Sequence, residues 1–155
     1  MKPLKIITTL TLAISLVAGA ALSQDAVSNG IGARKAQMQL FAYNLGTLGA
    51  MAKGALPYDA AAASTAASNL AKMASLDGRA MWMPDSDEMS ADNTRAKPEI
   101  WDNFADYGAK WGDLAAAAQA MDGAAGGGLE ALQGAMGAVG GACGACHKIY
   151  RAPKQ

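Results

Sequence analysis

The chain has 155 residues, and its 13 Lys and Arg balance 13 Asp and Glu, so the formal charge is zero. This length suits one domain with its own core, and the balanced charge argues against a nucleic-acid-binding surface. Two cysteines and one histidine are too few for the four protein ligands of a structural zinc site. The composition, rich in Ala, Met and Gly, favours helices over strands.

The first 23 residues have the pattern of a secretory signal peptide. Lys2 and Lys5 precede a run of apolar residues, and Ala21 and Ser23 form a small-residue cleavage pattern. We expect cleavage after Ser23 and export to the periplasm. A retained membrane anchor is the alternative, but the apolar run is short for a span and no charged stop follows it.

The mature domain then covers residues 24–155, and it is predicted to have no membrane span. It keeps 11 of the 13 Lys and Arg and all 13 Asp and Glu, so its formal charge is 11 − 13 = −2. A net negative charge of this size is an argument about partners and solubility and does not bear on the fold.

The first mature helix is predicted from residue 27 to residue 53. Its apolar residues recur at spacings of three and four, the period of one helix face. They are Ile31, Met38, Phe41, Leu45, Leu48 and Ala52. Arg34 occupies the missing step of this stripe, so Arg34 and Met38 are both predicted to face the core.

A second, alanine-rich helix is predicted from residue 58 to residue 76. Gly54 and Pro57 end the first helix, and Asp59 is a suitable N-cap for the second. Its small residues predict a close approach to a neighbouring helix.

Residues 77–97 lack helical periodicity and form the longest predicted connection. The embedded Met81, Trp82 and Met83 are too apolar for a purely solvated loop. They either pack over an open end of the bundle or form a wall of a cofactor site.

Two further helices are predicted, over residues 98–121 and 129–150, with a glycine-rich turn between them. The last helix carries Cys143 and Cys146 on its apolar seam. Its glycines, which lower helix propensity, are expected to make room for a flat cofactor. They are Gly134, Gly137, Gly140, Gly141 and Gly144. Four amphipathic helices without a competing strand pattern predict an all-α, up-down-up-down antiparallel four-helix bundle.

The strongest motif is C-x-x-C-H over residues 143–147. Such a run is typical of covalent c-type haem attachment, in which two thiols add to the haem vinyl groups and the histidine ligates the iron. Cys143 and Cys146 are therefore predicted thioether anchors of one haem c, and His147 is a predicted axial ligand. A disulfide or unmodified thiols are the alternatives.

The ligand opposite His147 decides the chemistry. Because His147 is the only histidine, a second histidine ligand is excluded, and methionines are the soft candidates. Met38 is the best placed, being on the interior stripe of the first helix; the alternative is that it only packs over the ring. Met73, Met81, Met83 and Met121 are the other upstream candidates.

Arg34 is a candidate partner for a haem propionate, through charge-assisted hydrogen bonds, with an ordinary surface arginine as the alternative. The chain is not expected to be an enzyme. A peroxidase would need a second histidine to move protons, and an arginine alone is a poor acid–base group.

The sequence resembles the cytochrome c′ and cytochrome c-556 family, the class II c-type cytochromes, over nearly the whole mature chain. The resemblance rests on the haem motif near the C-terminus with segments 34–38, 51–59 and 97–101 and with Tyr150-Arg151. It implies a periplasmic four-helix bundle with covalent haem, often a homodimer.

The family divides on the iron's sixth ligand. The family that the sequence resembles has two branches. In cytochromes c′ the iron is five-coordinate and binds NO and CO, whereas in the c-554 and c-556 types it is low-spin, with a first-helix methionine as its sixth ligand. Met38 stands at that methionine's position, and residues 84–86 look more like the low-spin branch. Some five-coordinate members carry methionine there too, so both branches stay open.

The sequence therefore predicts a periplasmic monohaem electron carrier, low-spin with His147 and Met38 as ligands. The alternative is a five-coordinate cytochrome c′ that binds NO or CO. An acidic surface that attracts a basic partner would favour the electron carrier. A vacant apolar pocket would favour the protein that binds NO or CO. The redox partners and the choice between monomer and homodimer stay open.

Overall fold

The computed structural model describes the backbone of residues 6–154 and the side chains of residues 25–154. This part of the chain contains five α-helices: α1 (Ile6–Ala52), α2 (Ala60–Ala74), α3 (Glu99–Asp102), α4 (Phe104–Ala124) and α5 (Leu129–Tyr150). A 3-10 turn at Arg79–Met81 lies between α2 and α3. The predicted cleavage site lies outside the residues whose side chains are described, so the signal peptide stays a prediction. The first helix begins at Ile6, much earlier than the predicted residue 27, because the helical backbone continues through the apolar residues before it.

The four long helices form a bundle, which confirms the predicted all-α fold. α4 packs against both α2 and α5, and α1 packs against α2 and α5. No described residue belongs to a β-strand; a single antiparallel bridge joins Ala96 to Arg151. Within the described residues, no helix combines the length and the apolar character needed to cross a membrane.

The first two helix boundaries follow the predicted local chemistry. Gly54 takes a φ of 73°, a conformation that glycine adopts without a steric penalty, where the chain leaves α1. The Asp59 side chain accepts a hydrogen bond of 2.7 Å from the Ala62 amide and caps α2, as predicted.

The predicted helix over residues 98–121 is wrong as a single element. It breaks at Asn103, whose φ of −137° and ψ of 59° are not helical, into the short α3 and the longer α4. The Asn103 side chain accepts a hydrogen bond from the Asp106 amide and so caps α4. The apolar pattern continues across this break, which is why periodicity did not reveal it.

The core lies between α1, α2, α4 and α5. It centres on side chains with no solvent exposure, from different helices: Leu48, Ala67, Met121 and Leu132. A smaller cluster of Ile100, Tyr107 and Tyr150 joins α3, α4 and α5. The larger core stabilises the bundle, and the smaller one lies beside the cavity described below.

Truncating the core should be costly where a matched surface truncation is not. Leu132 in α5 is 0% exposed, whereas Leu76 is 56% exposed. We expect Leu132→Ala to lower the free energy of unfolding by about 2–5 kcal/mol and Leu76→Ala by less than about 0.5 kcal/mol. Urea unfolding of the holoprotein, followed by far-UV circular dichroism, measures both. Equal losses would contradict the assigned core.

Candidate functional site

A cavity of about 870 Å³ opens between α1, α4, α5 and the connection that follows α2. Cys143, Cys146 and His147 of α5 all line it. Residues three apart on a helix lie on one face, and the adjacent histidine extends that face. The fold therefore brings the whole predicted attachment motif to one wall of one cavity.

The two thiols are free and half-buried. Burial raises the pKa of Cys143 and of Cys146 above the ordinary range, and the neighbouring Cys143 raises that of Cys146 further. Burial also lowers the pKa of His147, and the cations Arg151 and Arg95 lower it in addition. A neutral imidazole has a free lone pair, the form in which histidine binds metals.

Met38 of α1 lines the same cavity as the haem motif. None of the other methionines with described side chains does so. Met73 packs in the main core, and Met121 is fully buried there. Met81 and Met83 lie close to Gly30 of α1. The structure thus separates Met38 from the four other candidates by position.

Arg34 is buried, with 5% of its surface exposed. Its Nη1 donates to Ser86 Oγ at 2.9 Å and its Nη2 donates to the Ser86 carbonyl at 2.7 Å. The guanidinium also lies over the Trp82 ring, 4.4 Å from the centroid, in cation–π contact. Burial lowers the pKa of Arg34, although an arginine stays charged at any physiological pH.

This Arg34 clamp, made of Arg34, Ser86 and Trp82, was not predicted. Its serine is fully buried and its hydroxyl donates to the Met83 carbonyl at 2.7 Å. A serine in a polar, proline-containing segment gave no signal of burial. The clamp fastens the connection after α2 to α1 and holds Trp82 against the cavity.

Both interpretations of residues 81–83 have some support. Trp82 lines the cavity and packs against Tyr107, with ring centroids 4.7 Å apart. Met81 instead packs on α1, where a Cβ added at Gly30 would lie 3.1 Å from its carbonyl oxygen. The tryptophan is thus part of the cavity wall, while the neighbouring methionine closes the bundle.

A short strap holds the C-terminal residues against the same connection. The Lys97 amide donates to the Tyr150 carbonyl at 3.1 Å and the Ala152 amide donates to the Arg95 carbonyl at 2.9 Å. The Arg95 guanidinium returns hydrogen bonds to the Ala152 carbonyl through Nε and Nη2. We call residues 95–97 and 150–152 the C-terminal strap; sequence patterns gave no sign of it.

The glycines of α5 do not make room in the cavity, contrary to expectation. Cβ atoms added at Gly137, Gly140, Gly141 and Gly144 would meet nothing within 4 Å, and these residues are exposed.

The described residues fit a covalently bound haem. A volume of about 870 Å³ falls within the roughly 300–1,000 Å³ usual for ligand and cofactor sites. The lining combines the motif with apolar and aromatic side chains, among them Phe41, Leu45, Trp82, Ile100, Tyr107 and Leu114. Among the residues described, no three His, Cys, Asp or Glu side chains are grouped to hold a metal ion. One imidazole that can ligate iron, beside two thiols that can bond to vinyl groups, suits an iron that is carried by a porphyrin.

Breaking the Arg34 clamp should loosen the cavity wall. Arg34→Lys keeps the charge but loses the two-pronged hydrogen bond to Ser86. We expect faster hydrogen exchange at the Glu88 and Ala91 amides, which bond to the carbonyls of Ala96 and Asp87. Loss of a buried, charged hydrogen bond predicts an opening free energy lower by about 1.5–3 kcal/mol.

Hydrogen exchange with mass spectrometry of the holoprotein measures this effect. Arg79→Lys is the matched control, since Arg79 pairs with Asp77 at the exposed surface of the same connection. Unchanged exchange at Glu88 and Ala91 in Arg34→Lys would contradict the clamp.

The Tyr150 hydroxyl donates to Asp106 Oδ2 at 2.6 Å. This bond holds the pKa of Asp106 below its usual range, with a further lowering by Lys110, and raises the pKa of Tyr150 to about 12. A lowered carboxyl pKa adds stability above the unfolded value, about 3.9, which is lost as the pH falls through the folded value.

Tyr150→Phe should therefore remove stability at pH 7 and lessen the loss of stability on acidification. The unfolding free energies of the variant and the unmodified protein should converge as the pH falls below the lowered, folded-state pKa of Asp106, where the carboxyl is protonated in both. Urea unfolding between pH 7 and pH 3 measures this, with Tyr43→Phe on the exposed face of α1 as the control. A constant difference at all pH values would mean that the hydroxyl acts independently of the carboxyl.

Known proteins resemble this chain over most of its length. The family model described as "Cytochrome C'" matches residues 29–151. Cytochrome c-554 of Cereibacter sphaeroides is 43% identical over 147 residues, which cover 94% of this chain and 96% of that protein. Cytochrome c′ of the same species is 37% identical over 113 residues, covering 73% and 75%. The solved structure of a cytochrome c′ from Rhodobacter Spheriodes superposes with a TM-score of 0.80 at 37% identity, covering 83% of this chain and 98% of that one.

Proposed function

The chain belongs to the cytochrome c′ family, a class of proteins with covalent haem c, and on this premise we propose that it is a periplasmic low-spin electron carrier. Bound haem c supplies an iron that gains and loses one electron. The protein's part is to anchor the haem, to set the ligands of the iron and to shield it from water.

The position of Met38 carries the proposal. It is the one methionine with a described side chain that lines the cavity of Cys143, Cys146 and His147. Met38 is half-buried and packs against the core, so little freedom is lost when its thioether binds. Ligation by both Met38 and His147 would raise the reduction potential of the iron and leave no position for another ligand. Such an iron changes little on reduction, which suits electron transfer.

The remaining roles follow from the same cavity. Cys143 and Cys146 would form the thioether bonds, and His147 would ligate the iron with its neutral imidazole. Arg34 would meet a propionate through one of the N–H groups that its two hydrogen bonds to Ser86 leave available. The clamp would thereby couple the propionate to the wall that holds Trp82.

The gas-binding alternative draws support from the relatives named cytochrome c′. In that case Met38 would only pack above the ring, and the largely apolar cavity lining would leave space for a small diatomic ligand. The name of the 43% identical relative, cytochrome c-554, favours the carrier. Neither proposal assigns an enzymatic reaction to the chain.

Export and assembly are also proposals. The predicted signal peptide over residues 1–23 would take the chain to the periplasm. Leu40 and Tyr43 are exposed on α1, and this face would serve a homodimer if one forms.

Visible spectra of the holoprotein test the ligation. We expect sharp reduced bands, a weak sulfur-to-iron charge-transfer band when oxidised, and no change when CO is added to the reduced form. Met38→Ala should lose the charge-transfer band, bind CO and lower the reduction potential, because the sixth position then opens.

Met73→Ala is the control, since Met73 packs in the main core and does not line the cavity. It should leave the band and the potential unchanged. A broad high-spin spectrum of the unmodified protein that shifts with CO would overturn the Met38 assignment and favour the gas binder.

A further inference from the structure

The mouth of the cavity carries more cations than carboxylates. Besides Arg34, five basic residues line it: Lys35 of α1, Lys110 of α4, Arg95 and Arg151 of the C-terminal strap, and Lys154 just after the strap. The carboxylates in the lining are Glu88 and Asp92. Arg34 adds a buried cation behind them.

Most of this charge is not neutralised by ion pairs. Of the five cations, only Lys110 forms an ion pair among the described residues, with Asp106 at 3.6 Å. Arg95 is held by the carbonyl of Ala152, which positions the guanidinium without removing its charge.

The local charge is opposite in sign to the charge of the predicted mature domain. Net charge alone, −2, predicts an acidic surface and a basic partner. With Arg34 counted on one side and Asp106 and both haem propionates on the other, the cavity lining keeps an excess of one cation. Over short distances, the charge around the docking site governs association more than the net charge does, since salt screens distant charges.

We propose that this cationic mouth is the docking surface for an acidic redox protein. The partner would present carboxylates to Lys35, Arg151 and Lys154, and electrons would cross where the motif lines the cavity. Complementary charge raises the rate of encounter and sets the orientation of the two proteins. The proposal rests on the proposed electron transfer, but it is a separate claim about which surface meets the partner.

Electron exchange with two small ions, one an anion and one a cation, tests the sign of the charge at the cavity mouth. Hexacyanoferrate(III) takes one electron from the reduced holoprotein and becomes hexacyanoferrate(II), with no bond formed and no proton moved. We expect its rate constant to fall by roughly 3- to 10-fold when the ionic strength rises from about 0.01 M to about 0.5 M. The rate with the cation tris(phenanthroline)cobalt(III) should rise over the same range. If the rate with hexacyanoferrate(III) rose and the rate with the cobalt complex fell as salt was added, the net charge of the protein would govern the reaction. That result would overturn the proposal.

Charge-reversal variants locate the effect. Lys35→Glu and Lys154→Glu should each lower the rate with hexacyanoferrate(III), measured at about 0.1 M ionic strength, by several-fold and flatten its salt dependence. Lys53→Glu makes the same change in net charge about 27 Å along α1 from Lys35, beyond two screening lengths at 0.1 M salt, and should leave the rate nearly unchanged. Equal effects at Lys35 and Lys53 would overturn the docking surface.

Lysine acetylation of the holoprotein, mapped by mass spectrometry, tests the acidic partner with poly-glutamate as the probe. We expect the polymer to protect Lys35 and Lys154 but not Lys53. Equal protection of all three lysines would contradict an acidic partner. Protection that rises with protein concentration when no polymer is present would also contradict it, and would indicate that a second copy of the chain covers this surface. The CO experiment above tests the ligation, so a failure of either claim is recognised separately.

Discussion

The anchor at the end of α5 is the constraint on which the rest of the structure depends. Cys143, Cys146 and His147 lie within about one and a half helical turns, so their wall of the cavity is fixed by the backbone of one helix. All other contacts to a bound group must come from α1, from α4 and from the connection after α2. The bundle therefore has to leave its interior open at that end while it packs tightly around Leu48, Met121 and Leu132 at its centre.

Two sets of long-range contacts, the Arg34 clamp and the C-terminal strap, stabilise the open end of the bundle. The connection after α2 has little core of its own, yet the Arg34 clamp joins it to α1 across 52 residues. The C-terminal strap joins it to the end of α5 through residues 96 and 151. Desolvating a guanidinium is unfavourable, and the two hydrogen bonds to Ser86 with the contact to Trp82 offset that penalty. The wall of the cavity is thus held by polar contacts where apolar packing is thin.

The sequence predicted the features that depend on local chemistry. Helical periodicity placed Arg34 and Met38 on one interior stripe, and the Asp59 cap needs only the neighbouring amides. It did not predict the break at Asn103, because the apolar spacing runs through it, nor the partner of Arg34. Ser86 becomes the partner of Arg34 only through tertiary packing, because 52 residues separate the two. Nothing in the residues around Ser86 indicates a buried hydrogen-bond acceptor. The glycines of α5 were misread for a similar reason, since propensity does not say which face they occupy.

The strap also places the last described residues of the chain at the cavity mouth, with Lys154 in its lining. Any sequence joined after that point would begin beside the site. A polyhistidine purification tag there would add imidazoles to a protein whose own sequence holds one histidine. Such a tag could reach the iron or alter the charge at the mouth. Spectra and electron-exchange rates are therefore best measured on protein without a C-terminal fusion.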